Sequence, residues 1–337
     1  HQVGRRRLVW SAPALANRHI FVRNDEVIRC YDASSQHPRV QFQEAVTRQQ
    51  KQWVEQERTP SHLFRFSARG QVVHQAAMQS HLKHDRPVHG RTLFPIWSMT
   101  KPITSLAVMM LYERGLFELD DSVAEQIPTF ATLKVRGEDG SLLPLARAIT
   151  YRHLLLHTSG IYAYDGSFHD EGTWKEVMEL EDLESLMRLL ARQPLLHQPG
   201  ERYTYGMSTA VLGYLVERLS GQTLENFLTR EIFEPLGMLD TQFGLSEEDR
   251  QRFQPLSVWE QDHFREGTLV EDELYYRSGS ALQLGGEGLV STLEDYGRFC
   301  DMLANGGRTL QGRALIQPET LRQMTQDQLG EIPGFDG

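Results

Sequence analysis

The stretch from Phe94 to Leu111, Phe-Pro-Ile-Trp-Ser-Met-Thr-Lys-Pro-Ile-Thr-Ser-Leu-Ala-Val-Met-Met-Leu, constrains this chain more than any other. Ile103, Leu106, Ala107, Met110 and Leu111 recur at spacings of three and four, the period of a helix with a buried face, so other elements have to pack on it. Pro102 has no N–H and sits comfortably only near a first helical turn, which fixes the start of the helix close to Ser98. Ser98 and Lys101 then stand three apart, on one face and about one turn from each other, where an amine can reach a hydroxyl. That is the spacing of a nucleophile beside its activator. The same residues also suit an ordinary helix cap followed by a solvated first-turn lysine. Ser80 and Lys83 repeat the pattern in a polar, His-rich run with no apolar period behind it, so context favours Ser98.

At 337 residues the chain can form a large single domain or two interleaved lobes around an ample core. A formal net charge of −10 without a long basic run argues against a nucleic-acid surface and against attraction to anionic membranes. A small neutral or cationic substrate is easier to reconcile. The two cysteines, Cys30 and Cys300, are too few for a disulfide framework and read as structural thiols. No apolar run approaches membrane-spanning length. Arg5-Arg6-Arg7 followed by Leu8 to Ala16 imitates a signal peptide, but Ser11 and Pro13 interrupt its short apolar part. No targeting signal is therefore expected, which inclines the localisation toward the cytoplasm. Nothing in the sequence sets an oligomeric state.

Along the chain, short strands are expected at His19–Val22 and Val27–Tyr31, around a turn at Asn24-Asp25. Gln41 to Glu57 reads as a surface helix with a thin apolar stripe. Leu63–Ala68 and Gln71–Ala77 read as a hairpin joined at Arg69-Gly70. Thr150 to His157, Glu179 to Arg192, Ser208 to Leu219 with Gly221 closing it, and 224 to 239 read as helices. Residues 246 to 278 lack a period and read as a surface excursion. Thr292, with Asp295 three on, caps another helix, and Pro318 begins the last.

Several side chains invite chemistry. His74, His81, His84 and His89, with Asp85 beside His84, suggest a metal, but no Cys pair or His-Glu-x-x-His run supports it and the composition is loop-like. No metal or cofactor is expected. His157 is a candidate base, or a hydrogen-bonding brace beside a helix C-terminus. Tyr162, Tyr164, Phe168 and Trp174 suit a pocket wall or packing over the core equally well. Tyr205 lies on the loop feeding the Ser208 helix, where packing beneath that helix is the plainer reading. The run Gly285-Gly-Glu-Gly288 resembles a phosphate cradle but lacks a Gly-Lys-Ser/Thr ending. No Gly-x-Ser-x-Gly elbow occurs.

Six blocks, in this order, resemble the serine β-lactamase and penicillin-binding-protein superfamily, class C β-lactamases and their related esterases above all. They begin at Thr92 (Thr-Leu-Phe-Pro-Ile-Trp-Ser-Met-Thr-Lys-Pro), Leu116 (Leu-Phe-Glu-Leu-Asp-Asp-Ser-Val), Leu154 (Leu-Leu-Leu-His-Thr-Ser-Gly), Pro199 (Pro-Gly-Glu-Arg-Tyr-Thr-Tyr), Ile232 (Ile-Phe-Glu-Pro-Leu-Gly-Met) and Gly285 (Gly-Gly-Glu-Gly-Leu-Val-Ser-Thr). The resemblance implies a nucleophilic Ser98, a general-base Lys101 and Tyr205 as proton relay, acting through an acyl-enzyme. It implies an α+β fold, an antiparallel sheet of chain-terminal segments flanked by helices, with a helical lobe inserted over about 118–284. Residues 41–337 then form the β-lactamase-like domain, and 1–40 an extension without an assigned role.

Two departures bear on function. The family commonly shows Tyr-x-Asn where this chain has Tyr205-Gly206-Met207, which tilts the expectation from lactamase toward esterase. The family's third motif, a Lys/His/Trp-x-Gly strand supplying an oxyanion donor, normally lies beyond Gly337. C-terminal strands are therefore expected to be missing from this chain, and with them one donor whose loss costs about a hundred- to a thousandfold in rate. The expected function is a serine acyl hydrolase, a carboxylesterase for small or short-chain esters. The alternatives are a β-lactamase or D-amino-acid peptidase or transferase on an amide substrate, and a non-catalytic binding or assembly protein on the same fold.

Overall fold

The computed structural model describes residues 14–16, 19–23, 28–32, 39–68, 70–161, 177, 179–267 and 276–333, with side chains from 43 onward. The expected turns at Asn24-Asp25 and Arg69, and the aromatic segment from Tyr162 to Trp174, lie outside the described residues. The chain is mixed α+β, and among the described residues the paired strands run antiparallel, with parallel pairing confined to isolated bridges. It divides into two compact units, one of residues 1–92 with 253–272, the other of 93–252 with 273–337.

In the first unit, Ala14–Ala16, His19–Arg23 and Ile28–Asp32 form a three-stranded ladder. The helix Arg39–Glu55 lies against the hairpin of His62–Ala68 and Gln71–Met78, with the Gln43 amide donating to the Val73 carbonyl at 2.5 Å. The expected surface excursion carries regular structure that its lack of period did not indicate. Within 246–278, Ser257–Glu260 and His263–Glu266 pair as a second hairpin, with Trp259 edge-on to Phe264 at 4.8 Å. Its turn residues, Gln261 and Asp262, both have positive φ, the geometry of a tight two-residue hairpin turn without the usual Asn-Gly signature.

The second unit is organised on the Thr100–Glu113 helix. Sequence spacing predicts one buried face, but Val108 and Met109 are buried along with Ile103, Leu106, Ala107, Met110 and Leu111. The helix is enclosed on most of its circumference, as expected of an element inside a core rather than on its edge. The Ser208–Ser220 helix packs on it, buried from Ser208 to Val216 and stopped by Gly221 in the left-handed region (φ 70°). Residues 284–289 run between these two helices. The Thr104 hydroxyl donates to the Gly285 carbonyl at 2.7 Å, and the Leu289 N–H donates to the Thr100 hydroxyl at 3.3 Å.

That passage explains the glycines. A Cβ on Gly285 would stand 2.9 Å from the Thr209 carbonyl and 3.2 Å from the Gly213 Cα, and one on Gly213 would meet Leu224 at 2.9 Å. Two helices and a loop approach at backbone distance only because neither glycine carries a side chain. Beyond the loop, Val290–Ser291 pairs with Phe94–Pro95, the strand residues leading to Ser98. Thr292 then caps the Leu293–Ala304 helix by accepting from the Asp295 N–H.

Candidate active site

Ser98 lies in a single 3₁₀ turn, Trp97–Met99, that feeds directly into the long helix. The turn is anchored on both sides: the Ile96 N–H donates to the Leu289 carbonyl at 3.0 Å, and the Tyr296 hydroxyl donates to the Met99 carbonyl at 3.1 Å. Trp97, immediately before Ser98, has φ 44°, a conformation that costs a bulky residue about 1–3 kcal/mol and persists only when its surroundings enforce it. The Ser98 side chain emerges exposed, while Lys101, one turn on, is only 8% exposed.

Three sequence-predicted residues come together here. The Lys101 Nζ lies 3.2 Å from Ser98 Oγ and donates to the Gly286 carbonyl at 2.8 Å. The Tyr205 hydroxyl donates to Ser98 Oγ at 2.7 Å. Nζ also sits 4.7 Å from the centroid of the Tyr205 ring. Both neighbours are within hydrogen-bond reach of the serine oxygen. Among the described residues these are the side chains hydrogen-bonded to Ser98 Oγ. A lysine amine with a free lone pair can take the serine proton.

Tyr205 is delivered by a short segment pinned at its base. The Thr204 N–H donates to the His157 carbonyl at 2.7 Å, and the Thr204 hydroxyl meets His197 Nε2 at 2.8 Å. Met207, at the position of the family's amide, is 1% exposed and joins the hydrophobic core. The polar contact that holds Lys101 comes from the Gly286 backbone instead. No side-chain pattern reveals a backbone acceptor, although the unexplained glycine run around it was visible. Tyr296 carried no sequence signal either.

His157 is positioned by strain as well, with φ 54° just past the Tyr151–Leu155 helix. Its ring lies against that of Tyr205, centroids 4.9 Å apart and planes 30° from parallel, and Nε2 is 3.5 Å from the Thr209 hydroxyl. Burial, and secondarily the charge of Lys101, push the imidazole down to about 4. It is therefore neutral in neutral solution.

The competing motifs resolve into structure. The Ser80 hydroxyl donates to Asp85 Oδ2, and Ser80 Oγ accepts from the Leu82 N–H. Asp85 also accepts from the Ser61 N–H at 2.6 Å and from the Gln254 amide at 2.5 Å, while His84 Nε2 meets the Ser257 hydroxyl at 2.8 Å. Among the described residues no group of three His, Cys, Asp or Glu side chains is arranged to hold a metal, and no helix is long and apolar enough to cross a membrane.

Comparison with known proteins adds the family context. Esterase EstB of Burkholderia gladioli is 39% identical over 171 residues, 49% of this chain and 42% of that protein. Acyltransferase mokF of Monascus pilosus is 30% identical over 239 residues, 69% of this chain and 56% of its own. The solved structure of EstCE1, described as a hydrolase with promiscuous acyltransferase activity, superposes with a TM-score of 0.68 at 24% identity, covering 83% of this chain and 76% of that one. The chain spans about three fifths or less of the length of the first curated relatives it matches. Residues 42–335 match the Beta-lactamase family, and the chain, with its β-lactamase-like α+β fold, belongs to that family of serine hydrolases, esterases and acyltransferases.

Proposed function

We propose that this protein is a serine acyl hydrolase, a carboxylesterase acting on small or short-chain esters through an acyl-enzyme on Ser98. The observation that carries the reading is the convergence of Lys101 Nζ and the Tyr205 hydroxyl on one exposed serine oxygen. Lys101 takes the Ser98 proton as Oγ attacks the ester carbonyl. The tetrahedral intermediate collapses and expels the alcohol, which receives its proton by way of Tyr205. Water then attacks the Ser98 ester, the same groups act in reverse, and the carboxylic acid leaves.

The apolar Met207, where the family's lactam-binding amide would stand, favours a simple ester over a β-lactam or a D-amino-acid peptide. The relationship to an acyltransferase supports a second reading in which an alcohol replaces water in the last step, with Ser98, Lys101 and Tyr205 in the same roles. Ser98→Ala is expected to abolish hydrolysis of p-nitrophenyl butyrate and labelling by a fluorophosphonate probe. Turnover and labelling that survive the substitution would refute the assignment and favour a binding protein on this fold. Added alcohol that diverts the acyl group to a new ester would favour transfer, and nitrocefin turned over faster than the ester would favour a lactamase.

A further inference from the structure

His157 has no place in the acylation chemistry just described, yet four features converge on it. Its backbone is held in the left-handed region, at φ 54°, which a non-glycine residue adopts only under constraint. Its carbonyl accepts from the Thr204 N–H at 2.7 Å, so the residue before Tyr205 is tied to it by the main chain. Its imidazole lies against the Tyr205 phenol with centroids 4.9 Å apart and a tilt of 30°. Its Nδ1 is buried without a hydrogen-bond partner among the described residues, and its Nε2 has only the long 3.5 Å contact to Thr209. A buried ring nitrogen without a partner is unfavourable. Polar interaction therefore does not explain why this ring is here; its ring contacts do, the nearer with Tyr205 and a longer edge contact with Tyr203 at 6.0 Å.

The Tyr205 side chain needs such support. Tyr205 is 36% exposed, and its useful atom stands at the far end of the ring, 2.7 Å from Ser98 Oγ. A phenol hinged at Cβ moves its hydroxyl by an ångström for a small rotation. We infer that His157 is a positioning residue for Tyr205: its flat imidazole backs the phenol and holds the hydroxyl on Ser98, a role that rests on the proposed catalytic use of Ser98 and Tyr205. Charge is consistent with this use. Burial, and secondarily the neighbouring Lys101, keep the imidazole uncharged, so it backs the phenol as a neutral ring.

A merely structural His157, kept for its backbone conformation, and one kept for its ring predict opposite orders for two variants. Asn tolerates positive φ and removes the ring, whereas Phe keeps a flat ring in a backbone it tolerates less well. The positioning role predicts that His157→Asn lowers kcat for p-nitrophenyl butyrate by up to about a hundredfold, the cost of an ångström of misplacement, with KM nearly unchanged. It predicts that His157→Phe recovers most of that loss even if its Tm is the lower of the two. An Asn variant as active as the Phe variant, or more active, would overturn the inference. A direct readout uses the protein with 13Cζ-labelled tyrosine, the Tyr205 resonance being identified by its absence from Tyr205→Phe. That resonance should move in His157→Asn and stay near its place in His157→Phe. An unmoved resonance in the Asn variant would overturn the contact whether or not the protein turns over esters. Wild-type turnover indifferent to Ser98→Ala would instead refute the proposed function, leaving the resonance to decide the contact between the two rings.

Discussion

Replacing Lys101 by Met separates activity from stability in a way that few explanations other than catalysis would allow. Lys101 is 8% exposed, and its Nζ donates to the Gly286 carbonyl at 2.8 Å and meets Ser98 Oγ at 3.2 Å. Methionine fills nearly the same volume with no charge. The Gly286 carbonyl loses its partner, a cost of about 1–3 kcal/mol. Against that, the apolar methionine avoids the desolvation cost of burying a polar nitrogen, a gain of about 1–3 kcal/mol. The two effects nearly cancel, so the melting temperature should shift by no more than a few degrees. The rate has no such compensation: removing the amine on Ser98 Oγ should lower kcat for p-nitrophenyl butyrate by about 10²–10⁴. The assay is a thermal melt and a steady-state titration on the same preparation. A variant that keeps kcat within tenfold would refute the assignment of Lys101 as base. One that loses well over ten degrees along with its activity would mark Lys101 as a structural strut.

Two further outcomes follow from contacts around Ser98 and the Gly285 loop. Tyr205→Phe keeps the ring against His157 and removes only the donor to Ser98 Oγ, so kcat should fall by about a hundredfold or more while the melt is unchanged. The fall should be larger for ethyl butyrate than for p-nitrophenyl butyrate, and an equal fall would argue against a proton-donating role. Gly285→Ala and Gly286→Ala form an internal control for the loop between the two helices. At Gly285 the new Cβ would lie 2.9 Å from a fixed backbone carbonyl, a cost of about 1–3 kcal/mol measurable by urea unfolding, whereas at Gly286 it meets nothing nearer than Lys101 Nζ at 3.6 Å. Equal stability of the two variants would contradict the close helix–loop approach.

The parts of the fold that local physics dictates were legible in the sequence. The apolar period after Ser98, the Gly221 stop, the Thr292 cap and the first hairpin all depend on residues within a few positions of each other. What escaped depends on distance in sequence or on the main chain. The hairpin at 257–266 is built on four-residue strands around Gln261-Asp262, too short for alternation to register and without the expected turn residues. Ser80 and Lys83 could not be dismissed from spacing alone, because the group that occupies Ser80 is Asp85, itself bound to Gln254 169 residues on. The Gly286 carbonyl reaches Lys101 across 185 residues, and every residue type has a carbonyl. The glycines there signalled a close approach without saying what approached.

The proton path in the proposed mechanism follows from counting donors at one oxygen. A neutral lysine amine has two N–H bonds and one lone pair. The Gly286 carbonyl, at 2.8 Å, takes one N–H and so limits how the amine can turn. The lone pair can then be presented to Ser98 Oγ at 3.2 Å. Tyr205 already donates to that oxygen at 2.7 Å, so in this arrangement it is not the group that accepts the serine proton. Lysine takes the proton, and the tyrosine hydrogen bond strengthens as charge grows on Oγ. When the alcohol departs, Tyr205 is the nearer acid and Lys101, 4.7 Å from its ring centroid, is the group that can replenish it. p-Nitrophenolate leaves without a proton, whereas ethoxide does not. The substrate dependence of Tyr205→Phe therefore reads the direction of this relay, which the loss of activity alone cannot.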